Sequence, residues 1–461
     1  MGLLTFKGGA HPDDGKRFSK EAPLKKIGAS GEFVFLLSQH IGAPAKPIVE
    51  KGSHISPGQI IAEASGFMSS NICSSVSGVV KEIAPRISAT GAMVNAIVVT
   101  PDEEQEDLLR LPTKNSLDEW SAEEIIKRVG DAGIVGMGGA GFPTHVKLSP
   151  QDRNKIDYVI VNGAECEPYI TCDYRRMIEN PEEIILGLKA ILKTMPNAKG
   201  VIGIEDNKPF AISTMEKACK GEERISVAAL KTKYPQGGER QLIKAITGRA
   251  LNYETIPPQM GCIVDNVETV YAIYNAVYNG IPLVSRTITI SGDGVENPSN
   301  LIAPIGMNQT EIIKISGGYK KDEKGEEIIP EKIISGGPMM GFAMMTSDTP
   351  LTKTSSAFLA FKHDEISSQP TTPCINCGRC IGVCPSKLVP CTIAKLANDN
   401  EMAQFVTWNG LECIECGCCS FECPAKRPLK QSIAGMKKET LGAIRSGDFV
   451  VPKKNKKKEA K

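Results

Sequence analysis

Aromatic side chains are scarce in this sequence, 5% of 461 residues, which argues against a stacking platform for single-stranded nucleic acid. Charge of one sign is missing as well. The 54 Lys and Arg stand against 53 Asp and Glu, a formal net charge of +1, so no basic field would draw in a phosphate backbone and no nucleic-acid partner is expected. No apolar run approaches the ~20 residues that cross a bilayer. A basic-then-apolar leader is also absent, because charges and glycines interrupt the N-terminus from Lys7 onward. The five histidines (His11, His40, His54, His145, His363) form no pair at helical ligand spacing, which sets aside histidine-based zinc catalysis.

Cysteine and glycine are plentiful instead, 15 and 44 residues. Fifteen cysteines without a secretion leader point to metal chemistry in a reducing compartment rather than to disulfides. The apolar and charged fractions, 41% and 23%, are those of an ordinary globular protein. The length suggests about three domains.

Residues 1–105 read as β-rich, since "PIVEKGSHISPGQIIAEASGFMSSNICSSVSGVVKEI" alternates short apolar pairs with Gly, Pro and Ser turns. The punctuation at Gly52, Gly58-Gln59 and Ser77-Gly78 resembles the lipoyl/biotinyl type of barrel-sandwich domain. The carrier lysine of such domains is absent from the tip Phe67-Met68-Ser69-Ser70, so a structural or docking role is expected. The polar stretch 101–118 reads as a linker. From Ser121 an S-x-x-E capping box opens a helix with Ile125, Ile126 and Val129 on one face. Beyond it "DYVIVNGAE", "VIGIED" and "ISVAALKT" are short runs fit for buried parallel strands. The segments "PEEIILGLKAILKTM" and "PFAISTMEKACK" between them carry helical spacing. That alternation predicts an α/β layered domain over 115–275. Strand-like runs with Gly and Asn turns then suggest a compact α+β module at 280–346. Cysteine dominates 365–435, and 450–461 is a solvated lysine-rich tail.

The cysteines carry the strongest signal. Cys374, Cys377, Cys380 and Cys384-Pro385 follow C-x2-C-x2-C-x3-C-P, and Cys413, Cys416, Cys419 and Cys423-Pro424 repeat it. This is the bacterial ferredoxin spacing, in which the fourth cysteine serves the other cluster. Three thiolates two residues apart wrap one face of a cubane, and the fourth, turned away by its proline, reaches across. One [4Fe–4S] cluster would take Cys374, Cys377, Cys380 and Cys423; the second, Cys413, Cys416, Cys419 and Cys384. Paired zinc knuckles compete, but they rarely carry a third evenly spaced cysteine and a proline. Cys391 and Cys418 fall outside the pattern. Such a domain is a wire for single electrons.

A wire needs a source, and "GMGGAGFPTHVK" at 136–147 is the candidate. Gly136, Gly138 and Gly141 spell the dinucleotide fingerprint G-x-G-x-x-G. That fingerprint demands a preceding strand, a following helix and an acid about 20 residues on. Only "AGIV" precedes this loop, and Phe142-Pro143 intervenes before any helix. The surrounding motifs decide: "NGAECEP" at 162–168, "YPQGGERQLIKAITG" at 234–248 and "PPQMGCIVDNVET" at 257–269 follow in this order. With them the sequence resembles the flavin-carrying, NADH-oxidising subunit of respiratory complex I. With the barrel and the cysteine runs added, it resembles the C-subunit family of Rnf complexes, the ion-translocating ferredoxin:NAD oxidoreductases. The match runs through nearly the whole chain.

The resemblance implies non-covalent FMN with NAD(H) docking over it as substrate, so that the loop is a shared cradle. Gly136, Gly138, Gly139, Gly141 and Lys147 would cradle the flavin, and Phe142 matches an aromatic that stacks on the adenine of NADH. Asn162 and Glu165 match flavin contacts, and Glu167 a carboxylate near the nicotinamide nucleotide. Tyr234, Gly237, Gly238 and Glu239 match a second glycine loop; Asn266 and Thr269 match a stretch by the FMN phosphate. Met137 replaces the usual arginine, Ala164 an aspartate and Gly238 an acid, and Leu148-Ser149-Pro150 lacks a second aromatic. No side-chain acid or base is required, because the protein positions cofactors.

The fold expected is therefore multidomain α/β. It comprises an N-terminal barrel-sandwich β domain, an α/β flavin/NADH domain, a small β-grasp-like α+β domain and a C-terminal two-cluster ferredoxin-like helical domain. Expected partners are the other subunits of a membrane-embedded complex and a ferredoxin or another iron–sulfur subunit, with the chain peripheral on the cytoplasmic face of the cell membrane. Two readings stay open beside this one: a soluble cobalamin reductase with the same modules, and a non-catalytic iron–sulfur adaptor.

Overall fold

The computed structural model describes residues 3–364, 366 and 368–451. Nearly all of the lysine-rich tail, 452–461, lies outside the described residues.

Two small antiparallel sheets form the N-terminal β domain. One runs in the order Phe33–Leu36, Met93–Pro101, Gly78–Ile87, His54–Ile55; the other pairs Lys46–Pro47, Ile60–Glu63 and Ile72–Cys73. Phe33, Phe35, Ile55, Ile61 and Ile97 fill the space between them and are fully buried. The first twenty or so residues of the expected 1–105 unit lie elsewhere. Leu4 bridges Leu230, Ala10 bridges Tyr234, and Lys16 reaches the carbonyls of Glu165 and Ile170. This segment covers the edge strand of the neighbouring parallel sheet, whose outer backbone groups otherwise lack partners.

That sheet is all parallel, in the order Ile225–Leu230, Lys199–Glu205, Tyr158–Gly163, Cys262–Asn266. Three of its strands are the apolar runs anticipated from the sequence, and Cys262–Asn266, read there only as part of a motif, is the fourth; Val159, Ile160, Val161, Ile202 and Ile263 are fully buried. The helices Pro181–Thr194 and Val267–Tyr278 pack together beside it. The capping box at Ser121 is formed: the Glu124 N–H donates to its hydroxyl at 3.2 Å and the Ser121 N–H to the Glu124 carboxylate at 2.8 Å. Ile125 and Val129 turn into the core, while Ile126 is half-buried. The expected linker is a strap tied down along its path: the Asp102 N–H donates to Ser77 O, the Leu109 N–H to Pro57 O and the Leu111 N–H to Gly280 O.

A six-stranded mixed sheet follows, in the order Leu24–Lys26, Ser299–Pro304, Ser285–Ser291, Ala357–Phe361, Lys332–Ser335, Phe342–Ala343. It extends past the expected 280–346 module on both sides. Ala357–Phe361 lies between Ser285–Ser291 and Lys332–Ser335, so it is buried on both faces and shows no alternation. The cysteine region holds short helices, Arg379–Val383, Pro390–Asn398, Met402–Thr407 and Cys418–Phe421. They are closed by Leu429–Ser446, which runs beyond 435 and buries Ile433, Met436 and Thr440.

Candidate functional site

The chain passes from Tyr158–Gly163 outward through two strands and then returns to pair Cys262–Asn266 on the other side. A topological switch point therefore lies between these two strands, the crevice where α/β sheets bind ligands. Asn162 and Asn266 sit there side by side in register. The glycine loop arches over them. Its neck is closed by the Gly136 N–H donating to Phe142 O at 2.8 Å, and its floor by the Met137 N–H donating to the Thr269 hydroxyl at 3.0 Å. A Cβ on Gly138 would lie 3.0 Å from Asn266 Cβ, and Gly141 turns at φ 68°, so glycine is needed at both. Gly138, Gly139 and Ala140 are exposed, and nothing lies within 4 Å of a Cβ built on Gly139.

Asn266 caps the twelve-residue helix Val267–Tyr278 through its side-chain oxygen, which accepts from the Glu268 N–H at 2.9 Å. Its amide donates to Asp173 at 2.6 Å. Lys147 donates to Val264 O and to Asp265 at 2.7 and 2.9 Å. Asn162 donates to Gly237 O at 2.8 Å and so ties the second glycine loop to the first. Open glycine backbone, a helix N-terminus, a lysine and an amide are the donor set that a phosphate and a flavin's carbonyl edge accept from. The residues present fit FMN.

Several expected ligand contacts hold the cradle from beneath. Thr269 is fully buried under the loop. Glu165 is buried beside Lys16 at 3.7 Å and accepts the Asp173 N–H at 2.7 Å. Glu167 accepts the Met339 and Met340 N–H groups at 3.1 and 2.9 Å, and the Tyr234 hydroxyl lies 3.4 Å away. Burial pushes the Glu167 carboxyl up to about 7. It does the same to Asp173, where the charge of Glu165 adds to the effect. Phe142 is half-buried, Gly237 and Gly238 are half-buried, and Glu239 is exposed in the first turn of Glu239–Thr247.

Sequence reasoning missed Lys16, Asp173 and Arg286. The Arg286 guanidinium, buried in the six-stranded sheet, meets Met137 sulfur at 2.6 Å and donates to Ser355 O at 2.8 Å. A cation thus stands under the loop where the resemblance had put an arginine within it. No local motif marks these residues: Lys16 and Arg286 reach the site from outside the parallel-sheet region, and Asp173 meets Asn266 across 93 positions of chain.

The two cysteine runs adopt the same backbone. Positive φ at Asn376, Gly378 and Lys387 recurs at Glu415, Gly417 and Lys426. Cys374, Cys377, Cys380 and Cys423 line one cavity of about 230 Å³, with Cys391 at its wall. Cys413, Cys416, Cys419 and Cys384 lie within electrostatic reach of one another. The second set is seated against the flavin-domain loops. Tyr234, Cys416 and Cys418 share a small core bordered by Cys166 and Met339, the Cys418 thiol points at Tyr234 O, and Arg240 pairs with Glu412 at 3.0 Å. The first set faces outward, with Cys377 exposed between Ile375 and Ile381 at 66% and 42% exposure.

Three family models match the chain: an RnfC barrel sandwich hybrid domain over 4–104, a Nuo51 FMN-binding domain over 129–275 and an SLBB domain over 287–343. The C subunit of the proton-translocating ferredoxin:NAD(+) oxidoreductase complex of Clostridium ljungdahlii is 42% identical over 442 residues, 96% of this chain and 95% of that one. Its counterpart in the Na(+)-translocating complex of Acetobacterium woodii is 41% identical over 445 residues, 96% and 99% of the two chains. Among solved structures, an NAD+-reducing [NiFe]-hydrogenase in the H2-reduced state is similar at TM-score 0.49 and 17% identity. That match covers 73% of this chain and 64% of the other.

Proposed function

The chain belongs to the C-subunit family of ion-translocating ferredoxin:NAD(+) oxidoreductase complexes, and from that premise we propose that it carries electrons between NAD(H), FMN and two [4Fe–4S] clusters. FMN, when bound, supplies the conversion between two-electron hydride chemistry and one-electron steps. The glycine loop, Lys147 and the Asn266 helix terminus hold it at the switch point. Asn162 fixes the second glycine loop against it, while Thr269, Glu165 and Glu167 stiffen the cradle. Cys413, Cys416, Cys419 and Cys384 hold the inner cluster; Cys374, Cys377, Cys380 and Cys423 hold the outer one.

One observation carries this reading. Cys416 of the inner set packs with Tyr234, whose loop is tied to Asn162 at the cradle, and Cys374, Cys377, Cys380 and Cys423 line a separate cavity, which supports a series from cradle to inner set to outer set. The outer set's exposure suits delivery to or from a ferredoxin or another iron–sulfur subunit. Among the described residues no helix is long and apolar enough to cross a membrane. Together with membership of a membrane complex this supports a peripheral place for the chain; the cytoplasmic face, and ion movement in other subunits, are part of the proposal.

Anaerobic mixing of the flavin- and cluster-loaded protein with NADH tests the proposal. Flavin absorbance should bleach first and reduced-cluster EPR signals follow. FMN that stays oxidised with NADH, while dithionite reduces every centre, would remove NAD(H) from the reading and leave only the wire.

A further inference from the structure

The tip of the N-terminal barrel is turned toward the glycine loop and fixed there. Phe67, in the hairpin between Ile60–Glu63 and Ile72–Cys73, is 63% exposed. Its carbonyl lies 3.1 Å from His145 Nε2, and since a carbonyl only accepts, that nitrogen carries the proton. The two rings meet nearly perpendicular at 5.8 Å and 87°, so His145 can cover at most one face of the Phe67 ring. His145 belongs to the short helix Thr144–Lys147 that follows the glycine loop.

A second barrel loop locks the first. The Met68 carbonyl accepts the Ala43 N–H at 2.9 Å, and the buried Ser69 hydroxyl donates to Ala43 O at 2.8 Å. Gly42 approaches so closely that a Cβ there would lie 1.9 Å from Met68 O. Next to it, the Ile41 N–H donates to Gly141 O at 3.2 Å, and the Ile41 side chain is 45% exposed. Two bare apolar side chains are thus held on a rigid rim beside the exposed backbone of Gly138–Ala140.

We propose that the barrel builds one wall of the nucleotide site, with Phe67, flanked by Ile41, as a second aromatic platform for the adenine base of NAD(H) beside the one the resemblance assigns to Phe142. The inference rests on the NAD(H) reading above and deepens it. A dinucleotide whose nicotinamide meets the cradle has a second flat ring to place, and an aromatic face at the rim accepts any base by stacking. Holding that ring in position beforehand cuts the ordering cost of binding. The barrel domain then has a task within this chain.

The test compares NADH with reduced nicotinamide mononucleotide, which lacks the adenylate half, on the full flavin- and cluster-loaded chain. Phe67→Ala should cut the ratio of NADH to mononucleotide affinity on the order of tenfold, and Phe67→Tyr should restore it. Flavin content and melting midpoint serve as folding controls. A ratio that stays unchanged, including the case where both ligands weaken equally, overturns the platform while leaving the NAD(H) reading intact. Wild-type flavin that neither nicotinamide reduces, though dithionite does, overturns both.

Discussion

The α/β flavin region and the cysteine region reach their shapes by different means. The first has a four-stranded parallel sheet, helices of up to fourteen residues and a continuous apolar core, so burial does most to shape its cradle. Beside the eighteen-residue Leu429–Ser446, the second is built from helices of four to nine residues around a small core in which Cys380 and Cys419 stand among Leu388, Ile393, Phe405 and Ile433. Helices that short are marginal without tertiary support. The lesson is that one site is preformed by packing, whereas the other depends on what its cysteines hold.

Extracting the iron is the strongest way to break that comparison. Amide protection should disappear across 374–423 and persist across 158–266; loss of protection in both would show that one cooperative unit spans them. Arg176→Ala attacks the other side. Arg176 is buried, pairs with Glu268 at 2.9 Å and Thr287 at 2.6 Å, and lies 3.7 Å over the Tyr271 ring. Its removal leaves buried Glu268 with only the Thr287 hydroxyl and the charge of Arg286 to offset it, so urea unfolding of the flavin region should weaken by up to about 3–5 kcal/mol with cluster EPR unchanged.

Cys413→Ser and Cys374→Ser sharpen the distinction between inner and outer sets. The first should slow NADH-driven reduction of the outer cluster by more than the ~10–100-fold that altering a cluster's surroundings costs. The second should leave the inner cluster reducible by NADH. Equal effects would remove the assigned order. Glu167 gives a smaller signal. Its carboxyl, raised from 4.5 to about 7 by burial, binds more protons folded than unfolded between those values. Stability should therefore fall as pH rises through that window, by at most ~1.4 kcal/mol per pH unit. Glu167→Gln should flatten the slope, read from melting midpoints across pH. Ser121→Ala, which deletes the capping box, should cost the flavin region about 1 kcal/mol and leave the cysteine region's protection untouched.

Much of the fold was legible. The runs around Val161 and Ile202 became central parallel strands because strands buried on both faces need continuous apolar sequence, while the run around Val227 became the half-buried strand at the sheet's edge. The cradle was legible only through motif order, since the glycines at 136–141 also spell a Rossmann fingerprint. Ala357–Phe361 was passed over because no alternation marks a central strand. Residues 4–20 fall within the barrel-sandwich family match, yet Leu4 bridges Leu230 and Ala10 bridges Tyr234, pairings that no local pattern announces.

By itself the sequence determined the cysteine loops and the parallel strands, because ligand spacing and strand burial are fixed by contiguous residues. Only the tertiary structure decided which cysteine set lies inward, why Lys16 and Arg286 stand under the cradle, and that Phe67 reaches its rim. Those placements join residues far apart in the chain, and domain packing sets them through contacts that no local pattern encodes.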